Sequence, residues 1–440
     1  MSVVERSRIS PHTRNAVAIH HWLTSMRSTD GFGGPVSHWW RNSLQYTGTG
    51  LDWRYEGIIS GYLTLFQRSG SDLWLRFAQQ AGDDLVAGQT SSSSFVASSF
   101  ELNPYPGGNP GEAACDGALI RLASVLKTSG DYAWERYLLT AERNLRDHYI
   151  TRLWDRDAQV FSDSLDHATF VPNKAATVVE ALFLYAEMNG NSEWVERFGL
   201  PTLDAILRHQ ISTGPLEGAI YQYGHGGRPV EWFFPYYAAR CIPALHAAYA
   251  YNGDERFRGA ALKTADFIMR YRAEDGSFPQ IVYSPKRVNR YPRWIAGAGD
   301  ILRALDLANE LGASHDTSLT EQWLISGLLP NGAIRTAHGF AAQASQKLKS
   351  SVPEFRDVMP VCGWVDKAFA WLCSRIDPGS PIPPTSATQS VEEECTLRGK
   401  RCVYRETDQT MELWQNDNLL YRWNKGEMWA DIHTSDLYWK

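Results

Sequence analysis

Two kinds of helical pattern alternate along residues 11–376. One is amphipathic: after Asp72, apolar residues fall at Trp74, Phe77, Ala78, Ala81 and Leu85, the three-and-four spacing of a single apolar face. The other is apolar nearly all round, as in Ala175–Met188 and Ile295–Leu311, and a helix of that kind must be covered on several sides. The all-round pattern predicts helices starting near Asp52, Glu112, Lys174, Glu231, Trp294 and Cys362. The amphipathic pattern predicts helices starting near Asp72, Asp131, Ser192, Asp254 and Leu319, with a further one over Pro11–Met26.

The joints between these helices repeat. Gly70-Ser-Asp-Leu-Trp74, Gly130-Asp-Tyr-Ala-Trp134, Gly190-Asn-Ser-Glu-Trp194 and Gly253-Asp-Glu-Arg-Phe257 share one signature, with Gly312 opening a degenerate fifth copy. The glycines are spaced by 60, 60, 63 and 59 residues. Glycine suits the left-handed position that ends a helix, and the short polar residue beside it caps the next one. A second signature lies between the joints, in Gly- and aromatic-bearing loops at Asp30–Pro35, Gly218–Gln222, Asp275–Gln280 and Asn331–Arg335. The last all-round helix has no amphipathic successor, and the helix over Pro11–Met26 has no all-round predecessor. Pairing the two closes a ring of six inner and six outer helices, an (α/α)6 toroid, over residues 1–376. A linear solenoid would need polar capping faces at both ends, which these helices lack.

Beyond the ring the pattern changes. Residues 377–394 contain Asp377-Pro-Gly-Ser-Pro-Ile-Pro-Pro-Thr385 and are expected to form a linker. Residues 395–440 alternate with period two, and strands are predicted over Cys402–Glu406, Met411–Gln415, Leu419–Trp423 and Met428–Ile432, with a hairpin turn at Asn416-Asp417. This small antiparallel appendage is expected to pack on the toroid through its aromatic residues.

Composition narrows the function. The net charge of −6 argues against a nucleic-acid partner, and no apolar run is long enough to span a membrane. The polar N-terminus lacks the apolar core of a signal peptide, so a cytoplasmic location is expected. The six cysteines form no CxxC or His-spaced cluster, so neither a metal nor another cofactor is expected; Cys115, Cys241, Cys362 and Cys373 suit buried apolar positions. Cys395 and Cys402 are close enough to face each other across a turn. Oligomeric state is left open. The unusual quantity is aromatic: 12% of residues, including 17 Trp.

In such a ring the long loops and the starts of the inner helices share one face and line a funnel. The polar residues there are the candidate site. Asp52 and Glu56, and again Glu112 and Asp116, stand four apart at inner-helix starts, a spacing that puts both carboxylates on one helix face. Asp116 sits a turn into an apolar helix, where an unpaired carboxylate is costly, so it needs a partner or a role. Glu231 opens the fourth inner segment, and Asp163, Asp166 and His167 belong to the third loop. Asp52, Glu56, Glu112, Asp116, Asp166 and Glu231 are therefore the candidate catalytic acids. Trp53, Arg54, Trp232, Tyr236, Arg240 and Trp294 are candidate substrate contacts, with Arg240 expected to pair with Asp300 across adjacent helices. Lys286, Arg287, Arg290 and Arg293 cluster before the fifth inner helix and suggest an anionic substrate; Arg335 and His338 lie in the sixth loop. Trp39, Trp40 and Trp364 add to the aromatic face.

The ring, its Asp-Gly-aromatic loops and the acids at inner-helix starts resemble the (α/α)6 carbohydrate-active enzymes: unsaturated glucuronyl hydrolases, sugar epimerases and related glycosidases and lyases. The resemblance covers residues 11–376 and implies carboxylate acid/base chemistry on a small-molecule or oligosaccharide substrate, here an anionic, uronate-containing glycan. No catalytic motif of any one family is matched, so no residue role transfers. The toroid also resembles the class II terpenoid cyclases and the β subunit of protein prenyltransferases. That likeness implies an Asp protonating a prenyl chain within an aromatic wall, although the cyclase DxDD motif does not occur. A non-catalytic glycan-binding protein is the third reading.

Overall fold

The computed structural model describes residues 9–37, 42–95, 109–164, 169–222, 224–225, 228–340, 354–383, 389–397 and 399–434. Six inner helices follow one another round a ring: α2 (Arg54–Ser69), α4 (Ala113–Thr128), α6 (Pro172–Asn189), the broken pair α8 (Pro235–Ala239) and α9 (Ile242–Asn252), α11 (Ala298–Glu310) and α14 (Val365–Ser374). Outside them lie α1 (Pro11–Ser25), α3 (Asp72–Ala87), α5 (Trp134–Arg143, running on as a wider turn to Leu153), α7 (Leu200–Arg208), α10 (Glu255–Arg270) and α12 (Ser318–Ser326). A short helix, α13 (Phe355–Val358), precedes the last inner helix. The architecture is the expected toroid.

The helix joints work as the repeat predicts. Gly70, Gly130, Gly190 and Gly253 have φ of 68°, 77°, 72° and 71°, a left-handed turn that glycine adopts without a Cβ penalty. Glycine in the second signature does a different job. A Cβ on Gly218, Gly276 or Gly332 would lie 1.8, 2.1 or 2.0 Å from a backbone oxygen of the outer helix it crosses, Lys263, Leu319 or Ala18 respectively. The third contact is the ring closure, because Ala18 belongs to α1. Gly332→Ala combines that clash with a φ of 86°, so it is expected to cost about 2 kcal/mol or more of stability, read from a denaturant midpoint.

Two segments expected to begin inner helices are extended instead. Phe233 bridges Val282, and Arg293–Trp294 pairs with Ala337–His338, so helices start only at Pro235 and Ala298. Proline at the first helical position sets the later start of α8. A hairpin of β1 (Ile281–Ser284) and β2 (Arg287–Asn289) stands beside them.

The appendage is a five-stranded antiparallel meander: β3 (Val391–Leu397), β4 (Lys400–Glu406), β5 (Thr410–Gln415), β6 (Asn418–Asn424) and β7 (Asp431–Ile432). Its first strand starts inside the segment expected to be linker, because Val391 already points inward while Glu392 and Glu394 face out. Cys395 and Cys402 are directly opposed in β3 and β4, as free thiols, and Cys115, Cys241, Cys362 and Cys373 are buried. Among the described residues no helix is long and apolar enough to cross a membrane.

Candidate active site

At the N-terminal ends of the inner helices a cavity of about 280 Å³ opens among the loops. Its wall mixes aromatic faces with amides and charges: Trp53, Trp232, Phe234, Tyr236, Tyr237 and Trp364, with Asn109, Asn173, Gln222 and Thr177, and the charged Asp163, Lys174, Arg240, Asp300 and Lys367. Trp53 and Trp364 stack at 5.3 Å between ring centroids, and Trp294 packs behind Trp364 at 4.6 Å. Trp364 has φ 60° and ψ 7°, a left-handed conformation that a bulky side chain adopts only at a cost of about 1–3 kcal/mol.

Below the cavity lies a belt of charges, to which each of the six inner helices contributes. Glu56 on α2 accepts Lys367 Nζ at 2.5 Å, Arg240 at 3.0 Å and Arg303 at 3.2 Å. Glu180 on α6 takes Arg121 of α4 at 2.5 Å and also Arg303. Arg240 reaches Asp300 at 3.3 Å, the expected pair, and the Tyr236 hydroxyl donates to the other oxygen of Asp300 at 3.0 Å. Asp366 accepts Lys367 at 3.0 Å and the Gly57 N–H at 3.2 Å. Although burial opposes ionisation, the surrounding Arg240, Lys367 and Arg303 hold Glu56 well below the usual carboxylate range. Burial dominates for Asp366 and raises it to about 7, and burial with the neighbouring Asp300 charge keeps the Tyr236 phenol protonated. On the far side of the belt a second cavity of about 670 Å³ opens toward the C-terminal ends of the inner helices, and Asp300 and Lys367 line both spaces.

The structure sorts the sequence candidates. Trp53, Trp232, Tyr236 and Arg240 line the upper cavity, and Trp294 supports it from behind. Glu56 sits in the belt with both oxygens engaged by cations, an arrangement unsuited to proton donation. Asp52 does not share its helix face, because the helix begins only at Arg54; its carboxylate instead binds Arg54 Nε at 2.8 Å in a buried pair outside the cavity wall. Glu112 is buried at the end of the turn Pro110–Glu112; Gly111 and the capping Asn109 form part of the wall and Glu112 does not. Asp116 faces the outer layer, where it accepts Asn144 Nδ2 at 2.8 Å, and burial pushes its carboxyl well above the usual range. It is an interlayer group whose partner is an amide. Glu231 is exposed on the extended segment before α8. Asp166, His167, Trp39 and Trp40 lie outside the described residues.

The cationic cluster is spread out. Arg293 is bound by Asp275 and lies over Trp323 at 5.0 Å, Lys286, Arg287 and Arg290 are exposed around the β1–β2 hairpin, Arg335 is tied to Glu393 of β3 at 2.6 Å, and His338 is half-buried in the strand pair beside Arg293. The cations of the upper cavity are Lys174, Arg240 and Lys367. Lys174, Glu180, Arg303, Asp366 and Lys367 were not singled out in the sequence. The signal was available, since each is a charge within or at the start of an apolar inner helix, the reasoning already applied to Arg240 and Asp300. Among the described residues no group of three or more His, Cys, Asp and Glu side chains is placed to hold a metal ion.

Known structures share this ring. The fold is an (α/α)6 toroid. The chain is similar to a sugar epimerase from a ruminal bacterium, with a TM-score of 0.59, 15% identity, and coverage of 82% of this chain and 97% of that one. It is similar to an unsaturated glucuronyl hydrolase specific for heparin, with a TM-score of 0.58, 14% identity, and coverage of 83% and 95%. It is also similar to an α-1,6-mannanase of Salegentibacter sp., solved as an inactive variant in complex with α-1,6-mannotriose, with a TM-score of 0.56, 11% identity, and coverage of 83% and 98%. No family model matches the sequence, and no curated protein matches it. At these identities the toroid is what the proteins have in common.

Proposed function

We propose that this toroid is a carbohydrate-active enzyme, a glycoside hydrolase or a related lyase or epimerase, acting on an anionic, uronate-bearing glycan. The observation that carries the reading is the composition of the upper cavity, where stacked aromatic faces meet two carboxylates and three cations in one space. Aromatic rings suit the apolar faces of pyranose rings, amides such as Asn109, Asn173 and Gln222 suit hydroxyls, and acid/base chemistry at a glycosidic bond calls for two carboxyl groups. The acid/base chemistry is assigned to Asp163 and Asp300. Asp300, accepting Tyr236 and Arg240, is arranged as a base or as a stabiliser of positive charge. Asp163 binds Lys174 at 2.8 Å near the mouth, each side chain about 30% exposed. A substrate carboxylate that takes over Lys174 releases Asp163 for proton transfer. Arg240 and Lys367 are less available, the first partly buried and the second buried, and each held by two carboxylates.

The same lining weighs against a prenyl substrate, which would desolvate Lys174, Asp163 and three amides with no compensating hydrogen bonds. The test is turnover of unsaturated uronosides, followed by loss of the alkene absorbance, beside a polyprenyl diphosphate. Asp163→Asn and Asp300→Asn are each expected to lower turnover by about a hundredfold or more. Turnover of the polyprene alone overturns the reading, and full activity in both variants removes these two carboxylates from it.

A further inference from the structure

The exposed cations of the β1–β2 hairpin are unused by the reaction just described, and they continue the cavity outward. Phe233 pairs with Val282 through hydrogen bonds of 3.0 and 2.7 Å. That register places Trp232 opposite Tyr283. Side chains alternate along a strand, so Phe233 and Val282 point into the core, at 1% and 0% exposure, while Trp232 and Tyr283 share the outer face. The two rings meet edge to face at 6.5 Å, and Arg287 lies over the Tyr283 ring at 4.5 Å from its centroid. Trp232 is 38% exposed and also lines the cavity. The result is a ladder running from the cavity wall to the surface, Trp232 to Tyr283 to Arg287, and the exposed Lys286 and Arg290 flank β2 in the chain.

Resting on the carbohydrate reading, we propose that this outer face is a second subsite, which binds the next residues of an anionic glycan whose terminal sugar occupies the cavity. Continuity with the cavity through Trp232 gives the direction of the chain. Arg287 on the Tyr283 ring, with two more exposed cations on the same hairpin segment, gives the ligand class, a chain carrying carboxylate or sulfate groups rather than a neutral one.

The experiment compares the binding of a uronate disaccharide, a uronate tetrasaccharide and a neutral tetrasaccharide to the whole chain, by calorimetry at two salt concentrations. The uronate tetrasaccharide is expected to bind about tenfold or more tightly than the disaccharide, with the advantage reduced by salt. In the double variant Arg287→Ala/Arg290→Ala, and separately in Tyr283→Ala, that advantage is expected to fall below about twofold. Equal affinity for the two uronates in the wild type, the same advantage in wild type and variants, or an equal gain for the neutral tetrasaccharide overturns the subsite and leaves the carbohydrate reading standing. Failure of the wild type to bind any uronate overturns both.

Discussion

Glu56→Gln is expected to destabilise the protein by about 3–5 kcal/mol, the usual cost of removing one member of a buried ion network. A single carboxylate holds cations from three different inner helices, Arg240, Arg303 and Lys367, at 3.0, 3.2 and 2.5 Å. Glutamine keeps the shape and two hydrogen-bonding atoms but leaves those cations short of a charge, Lys367 and Arg240 in a setting largely removed from water. The pH dependence has a definite sign. Glu56 is depressed in the folded state, so its contribution is complete above its ordinary value of 4.5 and is lost as the pH falls through the folded value. The gap between wild type and variant should therefore be full at neutral pH and close on acidification, as read from urea midpoints across pH. A loss below about 1 kcal/mol at neutral pH would mean that the belt is solvated like a surface pair.

Removing the appendage, by ending the chain after residue 383, is expected to have a larger effect still. The sheet covers α1 and the segment that leads into α2. Trp22 of α1, 2% exposed, donates to the buried Glu406 at 2.7 Å, and Lys425 binds Glu406 at 2.7 Å and Ser25 at 3.0 Å. Tyr421 donates to the Leu44 carbonyl at 3.0 Å, and Thr47 N–H and Ala430 N–H bond across the junction at 2.9 and 2.8 Å. Truncation uncovers the apolar residues beneath and leaves those polar groups unpaired, which should remove a large part of the about 5–15 kcal/mol that holds an ordinary domain together. Soluble yield and melting temperature are the measurements. A truncated ring that melts with the full chain would make the sheet a passenger.

How far the sequence carried this picture depends on the scale of the feature. The ring was legible because its joints use a residue chosen for backbone reasons: Gly70, Gly130, Gly190 and Gly253 are left-handed in the structure, and their spacing counts the repeats. Closure was legible in outline, and its physical form is the contact of Gly332 with Ala18. The aromatic side of the cavity was legible in Trp53, Trp232 and Tyr236. The charged side was less so. Asp52 and Glu56 shared a face only if the helix began at Asp52, and it begins two residues later. Glu112 and Asp116 kept their spacing but turned away from the cavity, since periodicity gives the angle between two side chains and not which neighbour they meet. Lys174 and Lys367 could be noticed as charges in apolar helices, but that they meet in one cavity shows only once the six helices bring their starts together.

The belt has a consequence for traffic. It is the floor of the upper cavity and the roof of the lower one, and Asp300 and Lys367 belong to both. Among the described residues the ring is therefore plugged at its waist, so that a molecule reaching Asp300 from the loops must leave by the way it came. A polymer cannot be threaded through such a ring from the loops to the far end. If the proposed reaction takes place there, departure of the product has to precede each new arrival.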